Sequence, residues 1–387
     1  MIFPKRNAFN NQIVSAAQEV QKYYTKINED PYVQGHFEKK FCNQFNIFMG
    51  GRGYSDAVNS GSSAIFIAIK SLKLKPKSFV LVPPIIDPGA INAVIENNLK
   101  LWAIDTMNDS YNVSVEKIKN CIENDQKKQI SAVLIAHISG ETVDFTGIKS
   151  ACKNRGIKII EDCSQAHGAE IKDIKVGNFG DIAAFSMMSR KTITANGAAG
   201  MIYTKSKSLH RTCLAIADRG KPSWLKSYDQ RDPSKNLFSS LNYNLDEISS
   251  AIGCISMSKI NSTIKKRRKL TKYLKEKLNS ETRSVYINYN VEGSSPFIIP
   301  IFVRKGFDQN KLIKQLISKK IPLNPNYKFL ITNWKYLKKK LKGSKNIKIA
   351  QKNINKSFAL YINERYLEKH IKYIIETIKE TEKNCVQ

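Results

Sequence analysis

Asp181-Ile-Ala-Ala-Phe-Ser-Met-Met-Ser-Arg-Lys191-Thr-Ile-Thr-Ala-Asn-Gly-Ala-Ala-Gly-Met-Ile-Tyr-Thr204 sets one lysine between two apolar stretches rich in small residues. A lysine so flanked is expected in a pocket, and it follows Ser186 by five positions. Ser186 is then placed to anchor a phosphate while Lys191 reaches the aldehyde of the same molecule. Upstream, Ile157-Lys-Ile-Ile-Glu-Asp-Cys-Ser-Gln-Ala-His-Gly168 reads as a short buried strand that delivers Asp162 at its C-terminal end. Lysine, serine and aspartate in these places are the parts that pyridoxal phosphate chemistry requires.

Working outward, short apolar runs alternate with helix-period segments from about residue 57 to 204. Phe79–Val82, Leu101–Ile104, Ala132–Ala136, Ile157–Ile160 and Ile182–Phe185 are the expected strands. Strands interleaved with helices imply crossover units and a mostly parallel sheet covered on both faces, hence an α/β fold. Such sheets bind ligands beyond the C-terminal ends of their strands, where Asp105, Gly140 and Asp162 fall. Gly220 to Ser240 lacks periodicity and reads as a long loop, and a helical region follows from Leu245 to about Leu278. A smaller α+β part comes next, with a strand at Pro296–Val303, a helix at Asn310–Ser318 and a closing amphipathic helix over 364–382. The expected division is a large α/β domain with its N-terminal segment at 1–255 and a small C-terminal α+β domain at 256–387.

The composition fits a globular chain of this length: 387 residues, 42% hydrophobic and 25% charged. No apolar run approaches the roughly 18 residues of a membrane span, and the first residues lack the apolar core of a signal peptide. A cytoplasmic protein with no membrane partner is therefore expected. Seven cysteines, at 42, 121, 152, 163, 213, 254 and 385, stand singly without a C-x-x-C pair. That pattern suits reduced thiols and supports neither a zinc site nor a disulfide framework. The net charge of +30 is spread along the chain, with clusters at 265–269 and 338–342 in stretches that read as helical. Solvated helix faces account for such clusters, and no nucleic-acid-binding motif accompanies them.

Asn59-Ser-Gly-Ser-Ser-Ala64 opens an apolar helix with free backbone N–H groups and hydroxyls, a ready site for a phosphate. Together with Glu161-Asp162-Cys163-Ser164-Gln165-Ala166-His167-Gly168-Ala169, with Phe185-Ser186 and Lys191, and with Asn242-Tyr243-Asn244-Leu245-Asp246-Glu247, the order of motifs resembles the DegT/StrS family of sugar aminotransferases. The resemblance runs from Phe37-Glu38 to the last helix and implies the pyridoxal-phosphate-dependent transferase fold, type I. It implies that Lys191 binds pyridoxal 5'-phosphate covalently and moves a proton during catalysis, the cofactor cycling through pyridoxamine phosphate. It further implies that Asp162 pairs with the pyridine nitrogen, that Gln165 lies against the ring near its phenolic oxygen, and that Ser62, Ser63 and Ser186 hold the phosphate. An asparagine from the neighbouring subunit completes the phosphate site in the family, and either Asn242 or Asn244 matches it. A homodimer with shared sites follows. His167 is an expected supporting residue, with substrate contact as its alternative.

Three departures stand out. Pro84-Ile-Ile-Asp-Pro-Gly89 puts Asp87 near the position where many relatives stack an aromatic ring on the cofactor; Asp87 either caps the Pro88-Gly89 turn or meets the substrate. Asn244 stands where many relatives have arginine, and Gly197-Ala-Ala-Gly200 is bulkier than the family turn. The expected activity is transfer of an amino group, from glutamate, to a keto-sugar that is nucleotide-linked and destined for surface polysaccharide or a related glycan. The alternatives are a cofactor-dependent sugar dehydratase, which in this family has histidine in place of Lys191, an aminotransferase acting on a free acidic keto-sugar such as an oxidised octulosonate, and a non-enzymatic nucleic-acid-binding or pyridoxal-phosphate-binding protein.

Overall fold

Strands Tyr54–Val58 (β1), Phe79–Val82 (β2), Lys100–Ala103 (β3), Ile130–Ala136 (β4) and Lys158–Asp162 (β5) are followed by a small hairpin, Glu170–Ile171 (β6) with Ile174–Lys175 (β7), and then by Ile182–Ser186 (β8) and Gly200–Thr204 (β9). The C-terminal part adds Val285–Tyr286 (β10), Ile298–Val303 (β11), Leu323–Asn324 (β12), Leu341–Lys342 (β13) and Ser357–Tyr361 (β14). These come from a computed structural model that describes residues 1–5, 12–325 and 327–386. Residues 6–11, part of the N-terminal segment assigned above to the large domain, lie outside the described residues.

The main sheet has eight strands in the order β1-β9-β8-β5-β4-β2-β3-β13. The inner pairs are parallel and β9 runs antiparallel to both its neighbours, so the sheet is mostly parallel and mixed. All five strands expected from apolar runs are present, each within two residues. β1 and β9 carry less uniform apolar sequence and become visible only through their pairing. Helices Gly61–Ser71 and Pro88–Glu96 pack on one face with Val80, Leu134 and Ile160. Helices Val115–Glu123 and Ile148–Arg155 cover the other with Leu81, Val133 and Ile159.

Register decides what meets at the sheet's C-terminal edge. Ala136 lies beside Asp162, and Asp162 beside Ala184, so β4, β5 and β8 end together. On β9, Gly200 pairs with Ser186 on one side and Val58 on the other. The helix that starts at Gly61 therefore begins next to Ser186.

A second, four-stranded sheet, β10-β11-β14-β12, packs with the later turns of helix Ile260–Glu281, with Gln309–Ser318 and with Glu368–Glu382 around its own core. The helical region expected from Leu245 to Leu278 is two helices, Glu247–Met257 and Ile260–Glu281. A cut at residue 255 does not separate the cores cleanly. Ile260 and Ile264 pack with Phe41 and Phe45, whereas Leu270, Leu274 and Leu278 belong to the C-terminal core. Further on, Tyr327, Leu330, Leu337 and Ile347 return to the main core.

The lysines of both basic clusters are exposed as expected, with two departures. The one at 338–342 is a turn leading into β13, which extends the main sheet beside β3. The one at 265–269 is helical, yet Arg267 is 1% exposed and pairs with Glu364 at 2.6 Å. Burying a guanidinium without such a partner would be strongly unfavourable.

Candidate active site

At the C-terminal edge lies a cavity of about 240 Å³ whose lining includes Ser60, Gly61, Ser62, Asp87, His137, Asp162, Ser164, Gln165, Ser186 and Lys191. A wider groove of about 660 Å³ adjoins it and shares Ser62 and Gly89. The smaller cavity is the one that joins a lysine, carboxylates and a helix N-terminus.

The helix start is built by capping. Ser60 accepts the Ser63 N–H at 3.0 Å, which fixes the first turn and leaves earlier N–H groups directed outward. A methyl group at Gly61 would meet Ser186 Cβ at 2.5 Å and Oγ at 2.9 Å. Glycine is thus what lets Ser186 and the helix start come together. Gly200 plays the matching part on the other side, where a methyl would collide with the Ser60 carbonyl.

Ser62 and Ser186 line the cavity as expected. Ser63 differs from expectation. Its hydroxyl donates to Asn59 Oδ1 at 2.7 Å and lies against Ser60 Oγ, and it lines the adjoining groove.

Asp162 is 6% exposed, and its Oδ1 accepts the Ser164 N–H at 3.0 Å. Burial pushes its carboxyl above the usual range, Asp87 adds to the rise, and the Ser164 hydrogen bonds and Lys191 charge oppose it. Lys191 sits in the irregular loop between β8 and β9, held by Met187 and Met188 through the Ala195 and Lys191 N–H groups. Burial pulls its amine below the usual lysine range, against the raising effect of Asp162 and Asp87. The amine lies over the Phe297 ring, 4.7 Å from its centroid.

Gln165 is fixed at both ends of its amide: Oε1 accepts the Ser139 N–H at 2.8 Å, and Nε2 donates to Tyr327 Oη at 3.3 Å. Tyr327 is held in turn by a stack on Tyr111, centroids 5.1 Å apart. Asp87 does cap its turn: Oδ1 accepts the Gly89 N–H at 2.9 Å and starts helix Pro88–Glu96, and the residue also lines the cavity.

His167 is not brought to the cavity. It is fully buried with its ring 5.7 Å from Phe185, a place that fits the supporting role expected of it rather than the alternative of substrate contact. Asn242 and Asn244 do not line this chain's cavity, although Asn244 bridges to Val58 two residues before Ser60. Asn242 Oδ1 accepts the backbone and side-chain N–H groups of Asn244, at 3.1 and 2.8 Å.

His137 lines the site and was not anticipated, although its place just after β4 is the position the strand-end rule marks. Its Nδ1 accepts the Val143 N–H at 3.0 Å, so Nε2 carries the proton toward Glu161 at 3.3 Å. Glu161 also accepts N–H groups of Gly177, Phe179 and Gly180. With Cys163 these two form a tight buried group, but the hydrogen bonds on Glu161 and His137 make it a bracket that braces the end of β5. Asp105, the other residue past a strand end, accepts the Ile349 and Ala350 N–H groups and caps helix Lys348–Asn355.

The arrangement suits pyridoxal 5'-phosphate. One end of the cavity offers hydroxyls and a helix N-terminus to an anion, in a cradle that a single methyl group would fill. The same cavity also offers a buried carboxylate and a desolvated amine.

Comparison with known proteins finds relatives across most of the chain. A sequence model described as the DegT/DnrJ/EryC1/StrS aminotransferase family matches residues 14–379. GDP-perosamine synthase of Escherichia coli O157:H7 is 27% identical over 356 residues, 90% of each chain. The dTDP-3-amino-3,6-dideoxy-alpha-D-galactopyranose transaminase of Aneurinibacillus thermoaerophilus is 28% identical over 264 residues, covering 68% of this chain and 69% of that one. Among solved structures, a GDP-4-keto-6-deoxymannose-3-dehydratase crystallised with trapped PLP-glutamate superposes with a TM-score of 0.87 at 22% identity, covering 98% of this chain and all of that one.

Proposed function

The chain belongs to the DegT/DnrJ/EryC1/StrS aminotransferase family, and from that premise we propose that it transfers an amino group from glutamate to the keto group of a nucleotide-linked keto-deoxysugar. It is a pyridoxal-phosphate-dependent enzyme of nucleotide-sugar metabolism. The observation that carries the reading is the convergence of Lys191, Asp162, Ser186 and the Gly61 helix start on one cavity. Relatives named for GDP-perosamine and for a dTDP-linked amino sugar support a nucleotide-linked acceptor. The chain as a whole carries 63 lysine and arginine residues against 33 acidic ones, a balance that suits an anionic acceptor such as a diphosphate.

When bound, pyridoxal phosphate supplies an electron sink for the carbon that loses its proton. Lys191 Nζ would hold the cofactor's aldehyde carbon and, as a free amine, would take and return that proton. Asp162 would hold a proton on the ring nitrogen of the bound cofactor, and its buried setting would strengthen pairing with that cation. Gln165, locked by Ser139 and Tyr327, bounds one side of the ring. Ser62, Ser186 and the helix start hold the phosphate. A homodimer completes the site through Asn242 or Asn244. Its support is that neither asparagine serves its own cavity, and that Leu237, Phe238 and Leu241 beside them are exposed.

The test is direct. Purified protein should show visible absorbance that borohydride abolishes, with the reduced label on Lys191. Incubation with glutamate and GDP-4-keto-6-deoxymannose, or other nucleotide-linked keto-sugars, should give an amino sugar detectable by mass spectrometry. Water loss from the sugar with no amino product would favour dehydration, the chemistry that the resemblance ties to histidine in place of Lys191. Turnover only with unlinked acidic keto-sugars would overturn the nucleotide-linked acceptor.

A further inference from the structure

Phe297 brings the C-terminal part to the Lys191 amine. Phe297, half-buried just before β11, presents its ring to Lys191 Nζ at 4.7 Å. Its position is set by backbone. The Phe297 N–H donates to the Ser139 carbonyl at 3.2 Å, and the Ser295 N–H donates to the Gly140 carbonyl at 2.8 Å. Tyr289 Oη donates to the same Ser139 carbonyl at 3.1 Å. The turn that receives these bonds is itself constrained: Ser139 has φ of 67° and Gly140 of 81°, and a side chain at Gly140 would strike the Ser295 carbonyl. Left-handed backbone at a non-glycine residue is unfavourable and persists where the surroundings over-determine it. The ring is therefore held against the amine by a rigid seam that joins the two parts of the chain.

We infer that Phe297 is a positioning residue that holds Lys191 Nζ in place and favours its charged form through the face of its ring. An aromatic face attracts a cation, and more strongly where water is excluded. The other groups around the amine are Asp162 at the end of β5, Asp87 at the cap of helix Pro88–Glu96 and His137 after β4. Arg190 on the same loop is exposed, while Arg267 reaches Thr192 Oγ1 and is neutralised by Glu364. Burial works against the ammonium, the two carboxylates work for it, and Phe297 supplies the contact that carries no charge. A neutral partner supports the cation without adding a third carboxylate that would repel phosphate.

This inference rests on Lys191 being the residue that binds the cofactor. The experiment is a pH titration of the visible absorbance of the holoenzyme, in wild type, Phe297→Leu and Phe297→Trp. Leucine keeps apolar bulk and removes the aromatic face, so its midpoint should fall by about half to one pH unit. Tryptophan keeps the face, and its midpoint should equal or exceed the wild-type value. An unchanged midpoint in Phe297→Leu overturns the inference, as does an equal fall in both variants, which would make ring shape the cause. Borohydride reduction and peptide mapping separate the two readings: label on Lys191 with an unmoved midpoint removes Phe297 alone, whereas label on another residue overturns the lysine assignment and this inference with it.

Discussion

At the scale of single residues, two carboxylates share one cavity with different environments. Asp162 is buried at a strand end with one oxygen on the Ser164 N–H, and the role proposed for it is electronic. Asp162→Asn keeps the shape and removes the charge that holds a proton on the ring nitrogen. Turnover at saturating cofactor should fall by about tenfold or more, on the order of 1.4 kcal/mol in the barrier. Steady-state rates equal to wild type at full occupancy would remove that role. Asp87 performs a cap and lines the cavity at once, and a substitution separates the two. Asparagine caps as well as aspartate, so Asp87→Asn should keep the helix start and test only the charge. If Asp87 recognises the acceptor, stopped-flow spectra should show the half-reaction with glutamate intact while full turnover with the sugar drops. Equal effects on both, or on neither, would reject it.

Among elements, β1 was hidden from sequence because it carries a carboxylate in its middle. Asp56 is 1% exposed, and burial with the nearby Asp218 charge pushes its pKa from 3.8 up to about 7. Glu38, also buried, is raised beside it. The native protein thus keeps a proton on Asp56 that the unfolded chain has released near pH 4. Stability must fall as pH rises from about 4 to about 7 and level off above. Asp56→Asn should flatten this slope and raise the thermal midpoint at pH 8. The gain is bounded by about 4 kcal/mol, at roughly 1.4 kcal/mol per pH unit, and is smaller to the extent that Glu38 shares the proton. Identical slopes in variant and wild type, followed by thermal unfolding between pH 5 and 8, would show that Asp56 is not the titrating group. The strand expected in the C-terminal part, by contrast, was legible because β11 is buried along its whole length and reads as an unbroken apolar run.

For the molecule as a whole, the asparagines make a claim about assembly. If Asn242 or Asn244 completes the partner's phosphate site, mixing Lys191→Ala protein with the Asn242→Ala, Asn244→Ala double variant produces hybrids with one intact and one doubly defective site. Activity should return on mixing, up to about a quarter of the wild-type level, because random exchange makes half the dimers hybrid and each hybrid has one intact site of two. No recovery despite exchange shown by native mass spectrometry would confine these residues to their own subunit or exclude them from the site. The sequence by itself determined the α/β alternation, because buried parallel strands need continuous apolar runs, and it marked Lys191, Asp162, Ser62, Ser186 and Gln165, because their chemistry sits in short local motifs. Tertiary structure alone decided that His167 packs against Phe185, since the rotamer of a buried side chain follows from neighbours that are distant in sequence. It alone brought His137, Tyr327 and Phe297 to the cofactor cavity or its walls. Those three lie on separate segments with no shared spacing, and only strand register and the seam at Ser139 and Gly140 make them neighbours.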